Sequence, residues 1–280
     1  MSVNLSTGIG ALVSNFNTQY VDSIKHYETL QTGKRINSAK DDAAGLITSI
    51  KNQSQISGNG IAIQNLMNAR GILSSRIAIQ DSLIESFNQF RELVLTTQNI
   101  ALGPAEISNL DWHFNSIKTQ AREMADISVE VMGTSVAIGH WNSQNKTINI
   151  QSGSGSQDNY TYELKNLWTD IQRLTPPSAY VNETPQRALA LSLREIDTWA
   201  MPNVINARSN DAAMINSIER QISALSSRNI ALSSSNSRIL DTDYTREIAA
   251  YQANEVRKQI SASAIKKGVR SYDYILKLLR

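Results

Sequence analysis

The sequence contains no cysteine. That absence removes disulfides, zinc–thiolate centres and thiol nucleophiles together. It also suits a chain that must travel unfolded. Proline is scarce, at 5 residues in 280, and aromatic residues make up only 6%. Long helices packed through small and aliphatic side chains fit that composition better than a compact aromatic-centred globule. No apolar run approaches the roughly 18 residues that read as a membrane span, so no membrane partner is expected. The opening MSVNLSTGIGALVSNF lacks a basic segment and is broken by polar residues, so no cleaved secretory signal is expected. Neither sign of charge dominates: 27 Lys and Arg stand against 25 Asp and Glu. That balance speaks against nucleic acid, which usually calls for a dense basic patch. The basic group Lys266, Lys267 and Arg270 reads as a solvated helix face.

What is present is helical periodicity. Leu5, Ile9, Leu12 and Phe16 step by four, three and four, which predicts a first helix ending at Gly33. The stretch TGKRINSAKDDAAGL follows. Ser38 and Asp41 stand at capping-box spacing, so a second helix is expected from about Ala39, with Asp41 and Asp42 in its first turn. That helix should run to about Asn99, with a local kink at Gly58-Asn59-Gly60. Pro104 suits the first turn of a third helix reaching about Val131. Residues 133–165 alternate apolar and polar. KTINIQ and NYTYEL, joined by SGSGSQD, predict a β-hairpin. KNLWTDIQRL and PQRALALSLREIDTWAM are short helical candidates around a proline-rich loop. From about Pro202 the positions Ile215, Ile218, Ile222, Leu225, Asn229 and Leu232 form a heptad seam, extended by Asn236 and Ile239. Asp241 or Asp243 caps a last helix, along which Ile265, Val269, Tyr272, Leu276 and Leu279 continue the pattern.

The plan is palindromic: terminal helix, punctuation, long helix, insert, long helix, punctuation, terminal helix. The expected fold is mainly α, a long antiparallel helical bundle or coiled coil built from both termini, with a small β-hairpin region and a short mixed insert. Expected layers are 1–33 with 243–280, 34–132 with 203–242, and 133–202. Neither terminal stripe is wide enough to close a core by itself. Such helices pack on partner molecules or stay unformed.

Sites for chemistry are few. His26, His113 and His140 have no neighbours at metal-ligand spacing. DTDYTREIAAYQ begins like a calcium loop but has Arg246 and Gln252 where glycine and glutamate are required. No phosphate-binding or nucleophile-elbow motif occurs. Asp41 and Asp42 are sequence neighbours, and on a helix they point about 100° apart, too divergent for a paired-carboxylate site. Trp141, Trp168 and Trp199 could stack on sugars, which keeps a sugar-binding or enzymatic insert as a remote alternative. No cofactor, metal or catalytic residue is expected. FRELVLTTQN, Phe90 to Asn99, sets Arg91 and Glu92 in an apolar stretch, either as an ion pair beside the seam or as an interface patch.

TGKRINSAKDDAAGL resembles the N-terminal signature of bacterial flagellins, the subunits of the flagellar filament. FRELVLTTQN, SRILDTDYTREIA and the closing ILKLLR resemble further flagellin motifs, and KTINIQSGSGSQDNYTYEL is similar to the hairpin of the flagellin core. The resemblance covers about 1–165 and 203–280. It implies a non-catalytic subunit exported through the flagellar type III channel, whose terminal helices order only in the polymer. It places Leu5, Ile9, Leu12, Phe16, Ile265, Val269, Tyr272, Leu276 and Leu279 in an inner tube. Arg35, Asn37, Asp41 and Asp42 would form a spoke between layers, and Arg91, Glu92 and Leu93 an outer interface. Implied partners are further copies of the chain, an export chaperone on Ile248 to Leu279, and hook-associated and cap proteins. Some flagellins also meet an animal Toll-like receptor through the Arg-Glu-Leu region; here Gln89 replaces their arginine. Phe90, Trp112, Tyr251, Lys266, Lys267, Tyr272 and Tyr274 depart from the family's small polar residues and suggest a divergent or minor flagellin. A hook–filament junction protein is the alternative within the same class.

Overall fold

The structure is a computed structural model that describes residues 5–97, 103–125, 128–131, 134–137, 146–155, 157–166, 174–176, 179 and 184–278. Six α-helices and four short strands are described: α1 (Leu5–Thr32), α2 (Ala43–Thr97), α3 (Pro104–Ala125), β1 (Ser128–Val131), β2 (Thr134–Ala137), β3 (Lys146–Gln151), β4 (Asn159–Leu164), α4 (Pro185–Glu195), α5 (Met201–Leu240) and α6 (Tyr244–Leu278). A π-helical segment, Ile196–Ala200, joins α4 to α5 without a break. The chain divides into a terminal unit, Met1–Ile56 with Ile230–Arg280, and a central unit, Ser57–Asn229.

In the terminal unit α1 pairs with α6. Gly33 closes α1 at φ +70°, the left-handed conformation in which glycine avoids a Cβ clash, and its N–H donates to Thr29 O at 2.9 Å. Asp243 caps α6: its carboxylate accepts the Arg246 N–H at 3.1 Å. The two crossings are stitched by backbone. Lys34 and Asp241 form a β-bridge, Arg35 N–H donates to Leu240 O at 2.6 Å, and Thr242 N–H to Gly33 O at 3.0 Å.

The central unit holds two apolar clusters. One gathers Leu83, Phe87, Phe90, Val94, Leu110, Phe114, Leu189, Ile196 and Val204. Phe90 and Phe114 meet edge-to-face, with centroids 4.8 Å apart. The other gathers Leu66, Leu73, Ile150, Leu164, Ile218 and Leu225. The hairpin β3–β4 covers this second cluster, in the register Ile148↔Tyr162 and Ile150↔Tyr160. Its apolar positions alternate, so Ile150 and Leu164 face inward. The tip sits against Gly58: a Cβ there would fall 2.8 Å from Ser154 Cβ.

Several local expectations change. α2 begins at Ala43, not Ala39, because Asp42 is its cap: the Asp42 carboxylate accepts the Gly45 N–H at 2.9 Å. Asp41 instead turns back into the preceding loop. The helix runs unbroken through Gly58-Asn59-Gly60. Gly58 gives room to the hairpin tip, and Asn59 is tied to Asn229 by a 2.8 Å hydrogen bond. α3 stops at Ala125, and Val131 belongs to β1, which pairs with β2 in a hairpin the periodicity did not separate from helix. Lys165, Asn166 and Leu174 are not helical, and 167–173 lie outside the described residues. The candidate starting at Pro185 is helical and continues directly into α5.

Candidate assembly interface

The α1–α6 pair is held by polar contacts. Asn254 donates to Gln19 O at 2.8 Å, Ser23 hydroxyl donates to the Glu255 carboxylate, and His26 Nδ1 lies 2.6 Å from Glu247 Oε1. The Lys258 ammonium, and then the Ser23 hydroxyl, hold the Glu255 carboxyl below its usual range. The described side chains of α1 and α6 that are buried are Ser23, Thr29 and Asn254. None is apolar.

The stripe residues whose side chains are described are only partly covered. Ile9 packs where α6 has Gly268, its Cγ1 3.5 Å from the position a Cβ would take. Leu12, Phe16 and Ile265 are half-buried and Val269 is exposed. Leu5, Tyr272 and Leu276 lie within the helices, but their side chains fall outside the described residues, as does Leu279 altogether. A second apolar stripe faces outward. On α1 it is Val13, Tyr20, Ile24 and Tyr27, stepping seven, four and three; on α6 it is Tyr244, Ile248, Val256 and Ile260. Val21 and Ile260 are each 63% exposed.

At the junction, Arg35 reaches back to Ile239 O at 2.7 Å, and Asn37 Nδ2 donates to Lys34 O at 3.0 Å. Asp41 accepts the Asn37 and Ser38 N–H groups, both at 3.1 Å, and the Lys25 ammonium at 3.0 Å. The Lys25 bond, then those two amides, hold its carboxyl down at about 2. Ile36 is buried here and plugs the joint, its Cδ1 within 2.8 Å of where a Gly45 Cβ would stand. Of the outer set, Arg91 and Glu92 are exposed and Leu93 packs against the central cluster. Arg91 pairs with Asp197 at 3.6 Å, across helices and not with its neighbour Glu92.

Sequence reading missed a buried charged network in the central unit. Arg76 and Asp211 are 0% and 2% exposed, and Arg76 Nε donates to Asp211 Oδ2 at 2.7 Å. Gln80 donates to the same oxygen at 2.7 Å and Tyr162 hydroxyl to Oδ1 at 2.6 Å. Arg76 also donates to Lys165 O. Burial, and then the bond to Asp211, raise the Tyr162 pKa above the tyrosine range. A lone arginine inside an aliphatic helix stripe was the only signal for it. Among the described residues, no group of three acidic, histidine or cysteine side chains could hold a metal. No described helix is long and apolar enough to cross a membrane.

Residues 11–129 match the family described as the bacterial flagellin N-terminal helical region. The whole chain aligns with flagellin FljM of Caulobacter vibrioides at 24% identity, covering 98% of that protein. It aligns equally over its full length with flagellin E of Vibrio cholerae, at 24% identity and covering all of it. Residues 11–129 carry that flagellin region, and the chain as a whole is similar to bacterial flagellins. A flagellin is a structural subunit of the helical filament of the bacterial flagellum, outside the cell, and associates there with further flagellar components. Polar flagellin F of Vibrio parahaemolyticus is 29% identical over 172 residues, 61% of this chain and 44% of that one. A solved structure described as a flagellar hook-associated protein of Vibrio parahaemolyticus shares the fold, with a TM-score of 0.54 at 19% identity over 72% of this chain and all of that one. That likeness speaks to the fold of this chain alone.

Proposed function

We propose that this chain enters a flagellar filament through the α1–α6 pair, and that neighbouring copies cover the apolar stripe the pair leaves outside. One observation carries the reading: among their described side chains, the two helices bury Ser23, Thr29 and Asn254 and no apolar one. Apolar area removed from water stabilises by roughly 25 cal/mol per Å². Here that gain is left for association between copies. Leu5, Ile9, Leu12, Phe16, Ile265, Val269, Tyr272, Leu276 and Leu279 are assigned to this inner contact. Arg35, Asn37, Asp41 and Asp42 form the spoke that joins it to the outer layer, and Arg91, Glu92 and Leu93 an outer contact. The inner layer is 1–33 with 243–280, the outer 34–132 with 203–242, and 133–202 is surface. The subunit acts without catalysis or cofactor. Its unassembled α6, from Ile248 onward, offers an export chaperone the same apolar edge, and export runs through the flagellar type III channel. Cap and hook-associated proteins meet the assembled ends. Exposed Arg91 and Glu92 give a Toll-like receptor its contact, weakened by Gln89.

The experiment is seeded polymerisation. Purified chain is added to filament fragments, and elongation is followed by light scattering and electron microscopy. Deleting residues 1–31 abolishes elongation while α2 and α5 keep their helicity. Normal filaments from the deleted chain would overturn the reading.

A further inference from the structure

Among the described residues, five polar pairs cross from α2 to the continuous helix formed by the π-segment and α5, besides the Gln80 bond that joins the Arg76–Asp211 pair, and all lie in the central unit. They are Asn59 with Asn229 at 2.8 Å, Arg70 with Glu219 at 3.4 Å, Arg76 with Asp211 at 2.7 Å, Asp81 with Arg208, and Arg91 with Asp197 at 3.6 Å. Thirty-two residues separate Asn59 from Arg91, and thirty-two separate Asn229 from Asp197. Every pair therefore marks the same antiparallel register, to within a residue or two.

The apolar side chains do not mark it. Leu66 and Leu73 are one heptad apart on α2, and Ile218 and Leu225 one heptad apart on α5. A slip by one heptad exchanges aliphatic for aliphatic and loses little burial. The buried arginine does not tolerate that slip, since it would bring the apolar Ile218 opposite Arg76. Nor do the rim pairs: the slip would set Ile215 against Asp81 and Val204 against Arg91. The hairpin also depends on register, because Tyr162 and Lys165 O take Asp211 and Arg76 as partners.

We propose that these polar pairs are a register code that fixes how α2 and α5 slide past each other, with the hairpin seating only on the correct alignment. Buried ion pairs contribute little net stability over apolar replacements of equal volume, whereas polar residues at core positions are known to fix alignment. The central arginine network is thus a specificity device.

The cysteine-free background allows a direct test on the full-length chain. Asn59→Cys with Asn229→Cys reports the native register as a crosslinked fraction after mild oxidation, read on a non-reducing gel. In the otherwise unchanged chain crosslinking runs near completion. The apolar swap Arg76→Met, Gln80→Met, Tyr162→Phe and Asp211→Leu keeps helicity and melting temperature but lowers the crosslinked fraction about threefold or more. Removing the rim charges by Asp81→Ala, Arg91→Ala, Asp197→Ala and Arg208→Ala lowers it by a smaller factor. Exchanging the rim signs, Asp81→Arg with Arg208→Asp and Arg91→Asp with Asp197→Arg, restores it. Full crosslinking in a folded apolar swap overturns the code, because apolar packing then sets the register alone. If the swap unfolds, the rim variants decide: undiminished crosslinking without the rim charges overturns the code, and loss that sign exchange repairs supports it.

Discussion

The terminal and central units spend their side chains differently. The central unit buries Phe87, Phe90, Phe114, Leu66, Leu73 and Leu83 almost completely. The α1–α6 pair, though 28 and 35 residues long, closes over Ser23, Thr29 and Asn254 and leaves Val21, Tyr27 and Ile260 in solvent. The central unit carries its own core. The terminal unit, under the proposed assembly, shares one with neighbouring copies. Stability of the isolated chain should therefore reside in one unit and association in the other.

The sharpest way to break that contrast is Phe90→Ala. It removes one ring of an edge-to-face pair from a closed core and should lower the unfolding free energy by about 3–5 kcal/mol, read by denaturant unfolding of the monomer. A loss below about 1 kcal/mol would move the core elsewhere. Next comes Gly33→Ala at the joint. The φ of +70° and the Tyr244 hydroxyl, 2.6 Å from the new Cβ, should cost about 1–2 kcal/mol in the hydrogen-exchange stability of residues 34–41. Tyr244 is half-exposed and can swing away, so the backbone accounts for most of the loss. Ile24→Asp sharpens the contrast from the other side. Its side chain is 53% exposed, so monomer unfolding should shift by less than about 0.5 kcal/mol while seeded elongation stops. Equal damage to both would erase the distinction between units.

The smallest effect is electrostatic. Asp41 titrates at about 2 in the fold, against about 3.9 for a free aspartate. A depressed carboxylate contributes stability that is fully present above the unfolded value and is lost as pH falls through the folded one. The junction should hold above about pH 4 and loosen toward pH 2. Carboxyl chemical shifts of Asp41 should show that low midpoint, and Lys25→Gln should raise it, since the Lys25 bond is the largest cause. A midpoint unchanged by Lys25→Gln would assign the shift to the Asn37 and Ser38 amides alone.

The long elements were legible because they rest on one repeated signal. The three-four spacing, Gly33 as a stop and Pro104 at a helix start all follow from local backbone chemistry, and the helices end or begin there. The β3–β4 hairpin was equally readable from strict alternation around a glycine-rich turn. The start of α2 was misplaced by four residues because Ser38, Asp41 and Asp42 offer two capping patterns, and only the loop decides which carboxylate turns back. Arg91 was paired with the wrong acid for a similar reason. Sequence proximity suggested Glu92, yet adjacent helical residues diverge and Asp197 arrives from another helix. Arg76 and Asp211 were not paired because 135 residues separate them, and a lone arginine in an aliphatic stripe does not name its partner. The family motif, by contrast, was carried by contiguous residues from Arg35 to Gly45 and needed no long-range information.

The β-bridge at Lys34 and Asp241 bears on the order of events during folding. Arg35 is synthesised early, yet its guanidinium partner Ile239 lies 204 positions downstream. Closing so large a loop delays contacts that depend on it. The leading crossing can acquire its backbone partners only after most of the polypeptide is available, so the joint should be the last part of the molecule to set and the first to open.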